Sequence, residues 1–268
     1  MSQIKSPPIQ YAGSKWRLAY WIIKRFPEHV SYIEPYCGGA SVLFRKKRSS
    51  LEIINDLDGA VVNFFDVLRS RTNDLLRAIQ LTPYARAEVI RAHTMSGDSL
   101  EDARRFYVRA KMQFGGVRID HPNSWRYRKP NDRRSPIKEW SNTKPLLDAA
   151  QRLQGVYIEC DTALSIIERF DSKDTLLFID PPYVADTCTD DKYIHEMTDS
   201  DHIALSEALH SIKGMALISG YDSALYRDLY ADWQCVTKEA RTVNNVRRIE
   251  HLWINQAAQA NHAQKRLF

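Results

Sequence analysis

Cysteine is scarce in this chain of 268 residues, and its four cysteines stand far apart, at positions 37, 160, 188 and 235. Because they form no C-x-x-C pair, the sequence predicts neither a disulfide framework nor a cysteine metal site, and reduced intracellular thiols are expected. The eight histidines form no H-E-x-x-H or similar spacing, so no metal is expected.

Long hydrophobic runs are also missing. No uncharged apolar run approaches the ~18 residues that cross a bilayer, and the first residues lack the apolar stretch of a secretory signal. A cytoplasmic protein without a membrane partner is therefore expected. With 44% hydrophobic and 26% charged residues, the composition is that of a globular protein, which excludes a disordered chain.

Positive charge is concentrated in one segment. Residues 104–138 contain eleven lysines and arginines but only two acids, so this window carries +9 in a chain of net charge +5. Aromatic residues are interleaved with these cations, as at Phe114, Trp125 and Tyr127. Such a basic block is typical of a surface that binds nucleic acid, and a solvated helix and loop without a partner is the alternative.

The hydrophobic pattern predicts an α/β fold. Short apolar runs predict parallel strands at 31–34, 51–54, 156–159, 176–179 and 215–218, and the runs at 233–237 and 249–254 predict a closing hairpin. Helices are predicted at 16–26, at 42–48 and from about Ser200, the last capped by Thr198 and Asp201. Between Ala60 and about Leu153 the pattern is helical, with a polar loop or hairpin inside it.

Residues with ligand-binding chemistry follow the first two predicted strands. The segment E-P-Y-C-G-G-A-S at 34–41 contains Gly38 and Gly39, which let the backbone approach a ligand closely. Asp56 ends the second strand, where a carboxylate can accept both hydroxyl hydrogens of a ribose. A tight turn without a ligand is the alternative, and the absence of G-x-G-x-x-G disfavours a dinucleotide.

The sequence D-P-P-Y at 180–183 directly follows the apolar run at 176–179. Its two prolines hold the chain extended and donate no N–H, which leaves carbonyl oxygens to point outward. The Asp180 carboxylate, such a carbonyl and the Tyr183 ring can grip a planar amino group. A simple turn is the alternative for this segment. The segment Y-A-G-S-K at 11–15 precedes a predicted helix, and its alternative is a helix lead-in in which the serine caps the helix and the lysine is solvated.

Together these segments resemble the Dam-type DNA adenine methyltransferases, in the alpha group of amino-methyltransferases, over nearly the whole chain. The resemblance implies a Rossmann-like S-adenosylmethionine-dependent methyltransferase sheet at 1–58 and 154–268, with an inserted, mainly helical target-recognition domain at 59–153. It implies site-specific methyl transfer from S-adenosyl-L-methionine to the N6 amino group of an adenine flipped out of duplex DNA, with S-adenosylhomocysteine as the product.

The resemblance also assigns roles to single residues. The catalytic residues would be Asp180, Pro181, Pro182 and Tyr183. The cofactor would be bound by Tyr11, Lys15, Glu34, Pro35, Tyr36, Gly38, Gly39, Ala40, Asp56, Asp161 and Tyr193. DNA recognition should use the basic insertion, with Arg118, Trp125, Arg126, Arg128, Lys129, Arg133 and Arg134 as candidates.

Other functions stay open as alternatives. One is a methyltransferase acting on the cytosine amino group or on RNA, although cytosine-amino enzymes usually have serine in place of Asp180. Another is a catalytically idle DNA-binding protein that retains the fold. A cytosine-carbon enzyme is disfavoured because no cysteine follows a proline. The segments 115–118 and 124–127 do not clearly follow the recognition hairpin of GATC-modifying relatives, so the target sequence is open. We expect a monomer or weak dimer in a prokaryotic or phage-infected cell.

Overall fold

The computed structural model describes residues 4–117, 124–128, 135–184, 196–241 and 247–264. Its strands are β1 (Ser31–Glu34), β2 (Leu51–Asn55), β3 (Tyr157–Glu159), β4 (Thr175–Ile179), β5 (Met215–Gly220), β6 (Gln234–Arg241) and β7 (Arg247–Ile254). They form one seven-stranded sheet in the order β3-β2-β1-β4-β5-β7-β6. The first five strands pair in parallel, whereas β7 is antiparallel to β5 and β6. The predicted Rossmann-like sheet and its closing hairpin are confirmed.

The helices of the described residues are α1 (Ala19–Ile23), α2 (Gly59–Ser70), α3 (Thr72–Leu81), α4 (Arg86–Arg91), α5 (Ser99–Met112), α6 (Pro136–Ser141), α7 (Lys144–Leu153), α8 (Ala163–Phe170), α9 (Asp199–Ser211), α10 (Ala224–Leu229) and α11 (Gln256–Gln264). Helices α2 to α7 lie between β2 and β3, which confirms the helical character of the insertion. None of the described helices is long and apolar enough to cross a membrane.

Helix α9 begins at its predicted cap. The Thr198 hydroxyl accepts a hydrogen bond from the Asp201 amide, and the Asp201 carboxylate accepts one from the Thr198 amide at 2.8 Å. This reciprocal arrangement satisfies two amides that have no partner within the helix.

Two other predicted helices are wrong in their form. The segment 16–26 is divided into a 3₁₀ turn, Lys15–Arg17, and the short helix α1, because the Leu18 amide bonds to the Lys15 carbonyl only three residues back. The segment 42–48 forms turns instead of a helix. Its Phe44 and Lys46 amides bond to carbonyls four residues back, but the Arg45 amide bonds only three residues back, to the Val42 carbonyl, so no regular helix forms.

The carboxyl ends of the strands form a crevice beside β1. Within the sheet, Ile33 of β1 lies between Ile53 of β2 and Leu177 of β4. The chain leaves β1 towards β2 and leaves β4 towards β5, so the two connections diverge. Ligands of open α/β sheets bind at this kind of switch point.

The insertion and the sheet share one apolar core. Phe64 of α2 stacks on Phe106 of α5, with ring centroids 5.1 Å apart. Next to it, Phe65 packs 5.9 Å from Phe44, which follows β1 in the chain. All four rings belong to one apolar cluster that also contains Leu176 of β4. Helices α2 and α5 are therefore anchored to the sheet, and the domain bounds at 59 and 153 stay a prediction.

Candidate active site

A cavity of about 360 Å³ lies at the carboxyl ends of the strands. Eleven of the fifteen residues predicted for catalysis and cofactor binding line it: Tyr11, Lys15, Glu34, Pro35, Tyr36, Gly38, Gly39, Asp56, Asp161, Asp180 and Pro182. Ala40, Pro181 and Tyr183 lie outside its lining. Tyr193 lies outside the described residues. The structure thus brings the N-terminal segment, the glycine turn and the D-P-P-Y segment to one space.

The glycine turn is held by Asp56 and covered by Tyr11. Gly38 has φ +46°, a left-handed conformation that favours glycine, and its amide donates to Asp56 Oδ2 at 2.8 Å. A Cβ at Gly38 would lie 2.7 Å from Tyr11 Cε1, so the ring and the turn are in close contact. Asp56 Oδ1 accepts the Asp58 amide at 3.0 Å. The two carboxylate oxygens of Asp56 thus join the glycine turn to the segment that follows β2.

Glu34 lies buried beneath this turn. Its Oε1 accepts hydrogen bonds from the Tyr32 hydroxyl and the Leu43 amide, both at 2.6 Å. Burial raises the pKa of Glu34 to about 7, while those two hydrogen bonds and nearby Lys46 act to lower it. The carboxyl group therefore exchanges its proton near neutral pH.

Asn55, which the sequence did not single out, joins the ends of three strands. Its Nδ2 donates to the carbonyl oxygens of Pro35 and Asp161, both at 2.9 Å, and its Oδ1 accepts from the Asp161 amide at 2.9 Å. The Asp161 carboxylate in turn accepts hydrogen bonds from Ser165 Oγ at 2.8 Å and Arg169 at 2.7 Å. The bond from Ser165 is the main cause that lowers the pKa of Asp161. The backbone around Asp161 is thereby fixed at the mouth of the cavity.

The Asp180 carboxylate is bound by two neighbours through one oxygen. Lys15 Nζ lies 2.8 Å from Asp180 Oδ1, and Ser219 Oγ of β5 donates to the same atom at 2.6 Å. Lys15 Nζ also donates to the Gly13 carbonyl at 3.1 Å. The lysine predicted to bind the cofactor is thus placed against the predicted catalytic carboxylate. Ser219 was missed because a serine within an apolar strand carries no motif.

Tyr183 is surrounded by charged and aromatic groups. Lys15 Nζ lies 4.8 Å from its ring centroid, and the ring of Tyr221 meets it at 4.6 Å with an interplanar angle of 63°. Its hydroxyl donates to Glu250 Oε2 at 3.4 Å. Burial is the main cause that raises the pKa of Glu250. Neither Tyr221 nor Glu250 was predicted as a site residue. The one sequence signal that could have indicated a role for Glu250 is that it is an acidic residue within a predicted, mostly apolar strand.

Part of the predicted DNA surface is described, and its side chains pack together. The Trp125 ring stacks on Tyr127 with centroids 5.7 Å apart, and Arg86 lies 5.1 Å from the Trp125 ring. Arg126 pairs with Glu139 at 2.7 Å, whereas Arg128 is exposed. The remaining candidates lie outside the described residues: Arg118, Lys129, Arg133 and Arg134.

Several cations of the basic window point into the protein. Arg104 pairs with Glu88 at 2.9 Å, and Arg105 pairs with Glu101 at 2.7 Å. Burial lowers the pKa of Lys111 to about 8. Because Glu88 and Glu101 precede the window in sequence, its count of +9 overstates the positive charge that reaches the surface.

The family relationship is shown by comparison with known proteins. The family model for the D12 class N6 adenine-specific DNA methyltransferases matches residues 11–244. The DNA adenine methylase of Salmonella typhi is 23% identical over 232 residues, which are 83% of each chain. The DNA adenine methylase of Escherichia coli K12 is 20% identical over the same length, with the same coverage.

Solved structures show more distant likenesses. A Clostridium thermocellum protein assigned as an rRNA methylase has a TM-score of 0.41 and 9% identity, over 90% of this chain and 97% of the other. A Streptococcus mutans protein assigned as a methyltransferase, in complex with SAH, has a TM-score of 0.37 and 8% identity, over 89% and 97%. Neither bears on what this chain acts on. The family match, however, spans most of the chain, which therefore belongs to the D12 class of N6 adenine-specific DNA methyltransferases.

Proposed function

We propose that the methyl donor of this DNA adenine methyltransferase is S-adenosylmethionine, and that the acceptor adenine is flipped out of the duplex towards Asp180. The single observation that supports this proposal is the shared cavity, which the glycine turn and Asp180 both line. A methyl donor bound at the glycine turn and an adenine bound at Asp180 would then lie in the same cavity, with no protein atoms between them.

The residues around the turn fit an adenosyl group. The carboxylate of Asp56 is fixed by the Gly38 amide and lines the cavity, where it would accept the ribose hydroxyls. Asp161, fixed through Asn55, is the group that we assign to the adenosyl base. Gly38 and Gly39 carry no side chain, so the Tyr11 side chain packs directly on the turn while the backbone of the turn lines the cavity. When bound, S-adenosylmethionine supplies a methyl group activated by its sulfonium.

We assign the target amino group to the D-P-P-Y segment. Flipping a base costs a few kcal/mol of lost stacking and pairing, and the Tyr183 ring would recover part of it by stacking on the purine. Asp180 Oδ2 and the Pro181 carbonyl would accept the two amino hydrogens, while Lys15 and Ser219 hold Asp180 Oδ1 in place. Positive charge develops on the nitrogen as the methyl is transferred, so the fixed carboxylate stabilises the transition state more than the ground state.

DNA binding is assigned to the insertion. Exposed Arg128 and the Trp125–Tyr127 stack would face the duplex, together with Arg118, Lys129, Arg133 and Arg134. Most of these cations would bind phosphates, because phosphate contacts outnumber base contacts in protein–DNA interfaces. The enzyme would act as a monomer or weak dimer in the cytoplasm of a prokaryotic or phage-infected cell.

Long-read sequencing of DNA from cells that express the protein tests this function. The expected result is N6-methyladenine at one recurring sequence, absent from cells that express Asp180→Asn. Methylated cytosine, or methylation found only in RNA, would show that the acceptor is not adenine in DNA. Unmodified nucleic acid, together with DNA binding by the purified protein, would favour the idle DNA-binding alternative.

A further inference from the structure

A buried carboxyl group lies beside the D-P-P-Y segment but outside the cofactor cavity. Glu250 of β7 is 8% exposed, and its Oε2 accepts a hydrogen bond from the Tyr183 hydroxyl at 3.4 Å. The Tyr221 side chain also interacts with this carboxyl group and acts to lower its pKa. None of these three residues lines the cavity that contains the glycine turn.

Burying a carboxyl group costs free energy unless hydrogen bonds or charges compensate it. At Glu250 the compensation comes from two phenol hydroxyls and from the nearby Lys15 ammonium, whereas Asp180 acts against it. The same contacts restrict both tyrosine side chains. Their ring centroids lie 4.6 Å apart at an interplanar angle of 63°. Glu250 therefore links the hydroxyl ends of two rings that are already in contact.

We propose that Glu250 is a positioning residue that fixes the Tyr183 and Tyr221 rings as a preformed wall for the target base. This inference rests on the proposed function, because it assigns the stacking role to Tyr183. Without the tether, the Tyr183 ring turns about its side-chain torsions, and the stacked base loses contact with the Asp180 carboxylate. Glu250 thus acts on capture of the base and leaves cofactor binding unchanged.

Two substitutions at Glu250 separate the tether from the mere filling of space. Glu250→Leu removes both acceptors, whereas Glu250→Gln keeps an oxygen that accepts from a phenol hydroxyl. Glu239→Gln is the matched control, since Glu239 is exposed on the adjacent strand β6. Three quantities are measured: cofactor affinity, the single-turnover methylation rate, and the fluorescence of 2-aminopurine at the target position, which rises when the base leaves the stack.

For Glu250→Leu we expect the single-turnover rate and the fluorescence rise each to fall about tenfold, as for the loss of one hydrogen bond to a charged group. Cofactor affinity should stay within about twofold, and Glu250→Gln should recover the rate to within about threefold. Wild-type rate and fluorescence in Glu250→Leu would overturn the inference, as would a parallel loss of cofactor affinity.

A double-mutant cycle covers the case in which Glu250→Leu fails to fold. Replacing both Tyr183 and Tyr221 by Phe removes the tethered hydroxyls but keeps the rings, so the small effect of Glu250→Gln on the rate should disappear in that background. A Glu250→Gln effect of the same size in both backgrounds would contradict the tether. Failure of the proposed function looks different: the wild-type protein would then leave no N6-methyladenine, whatever residue occupies position 250.

Discussion

Lys15 Nζ and Asp180 Oδ1 are 2.8 Å apart, with 6% and 19% of their side chains exposed, so the N-terminal segment and the D-P-P-Y segment meet in a largely buried ion pair. Lys15 Nζ also lies 4.8 Å from the Tyr183 ring centroid. One lysine therefore contacts both groups that we assign to the target base. In this structure it holds the carboxylate that we propose to be catalytic.

Lys15→Met tests that role. Removing the ammonium leaves the partly buried Asp180 carboxylate without its cation, and breaking such a pair costs several kcal/mol. The single-turnover rate should fall at least about a hundredfold. The matched control is Lys24→Met at an exposed position, which should keep the wild-type rate. A Lys15→Met enzyme with the full rate but weakened cofactor binding would return the lysine to the role that the sequence predicted.

Glu34 makes stability depend on pH. Its pKa is raised from 4.5 to about 7 in the folded protein, so the folded state holds this proton more tightly than the unfolded chain. Its contribution is present at low pH and is lost as the pH rises through about 7, by at most about 3 kcal/mol. Glu34→Gln should remove this dependence, because an amide does not ionise.

Urea unfolding of both proteins between pH 4.5 and pH 8 measures the effect. The difference between their free energies of unfolding should move in favour of Glu34→Gln as the pH rises. Glu168→Gln, at an exposed position, is the control and should follow the wild-type curve. Parallel curves for Glu34→Gln and the wild-type protein would contradict the buried titration.

Gly38→Ala tests the close contact between the glycine turn and Tyr11. The new Cβ would lie 2.7 Å from Tyr11 Cε1, so the ring must move away from the turn. We expect cofactor affinity to fall at least about tenfold, because a displaced ring changes the cavity wall. Gly97→Ala is a matched control, since Gly97 also has a positive φ of +84° but open space around its Cβ.

Both alanine variants should lose about 1 kcal/mol of stability through backbone strain. In an equilibrium binding measurement with labelled S-adenosylmethionine, Gly97→Ala should match the wild-type protein. Equal affinities for all three proteins would mean that the glycine turn does not contribute to cofactor binding.

An exposed and a half-buried arginine of the basic window should differ in DNA binding. Arg128→Gln should weaken binding to any duplex and reduce the slope of log affinity against log salt by about one, as for one lost phosphate contact. Arg105→Gln should leave the slope unchanged, because Arg105 pairs with Glu101. A titration over several salt concentrations measures both slopes, and equal losses in the two variants would mean that exposure does not decide which arginines bind DNA.

Local sequence patterns were enough to predict the strands and most of the cavity. The apolar runs at 31–34 and 176–179 are buried strands, and the residues that directly follow strand ends, such as Asp56 and Asp180, line one cavity. The topology of a parallel sheet brings the carboxyl ends of its strands together, so a motif that directly follows a predicted strand is enough to predict that its residues line the site. The capping box at Thr198 was equally local.

What the sequence missed depends on contacts between distant segments. Ser219 reaches Asp180 only because β5 lies next to β4, and Glu250 reaches Tyr183 only because β7 returns beside β5. Charge counting failed where Glu88 and Glu101 neutralise arginines from outside the counted window.

The most direct measurement is a single turnover of methyl transfer to duplex DNA by the wild-type protein and by Asp180→Asn, with cofactor affinity measured on both. Asp180→Asn keeps the shape of the side chain but loses its charge, so we expect wild-type cofactor affinity and a rate at least about a hundredfold lower. A rate equal to that of the wild-type protein would contradict the assignment of Asp180 as the group that receives the adenine.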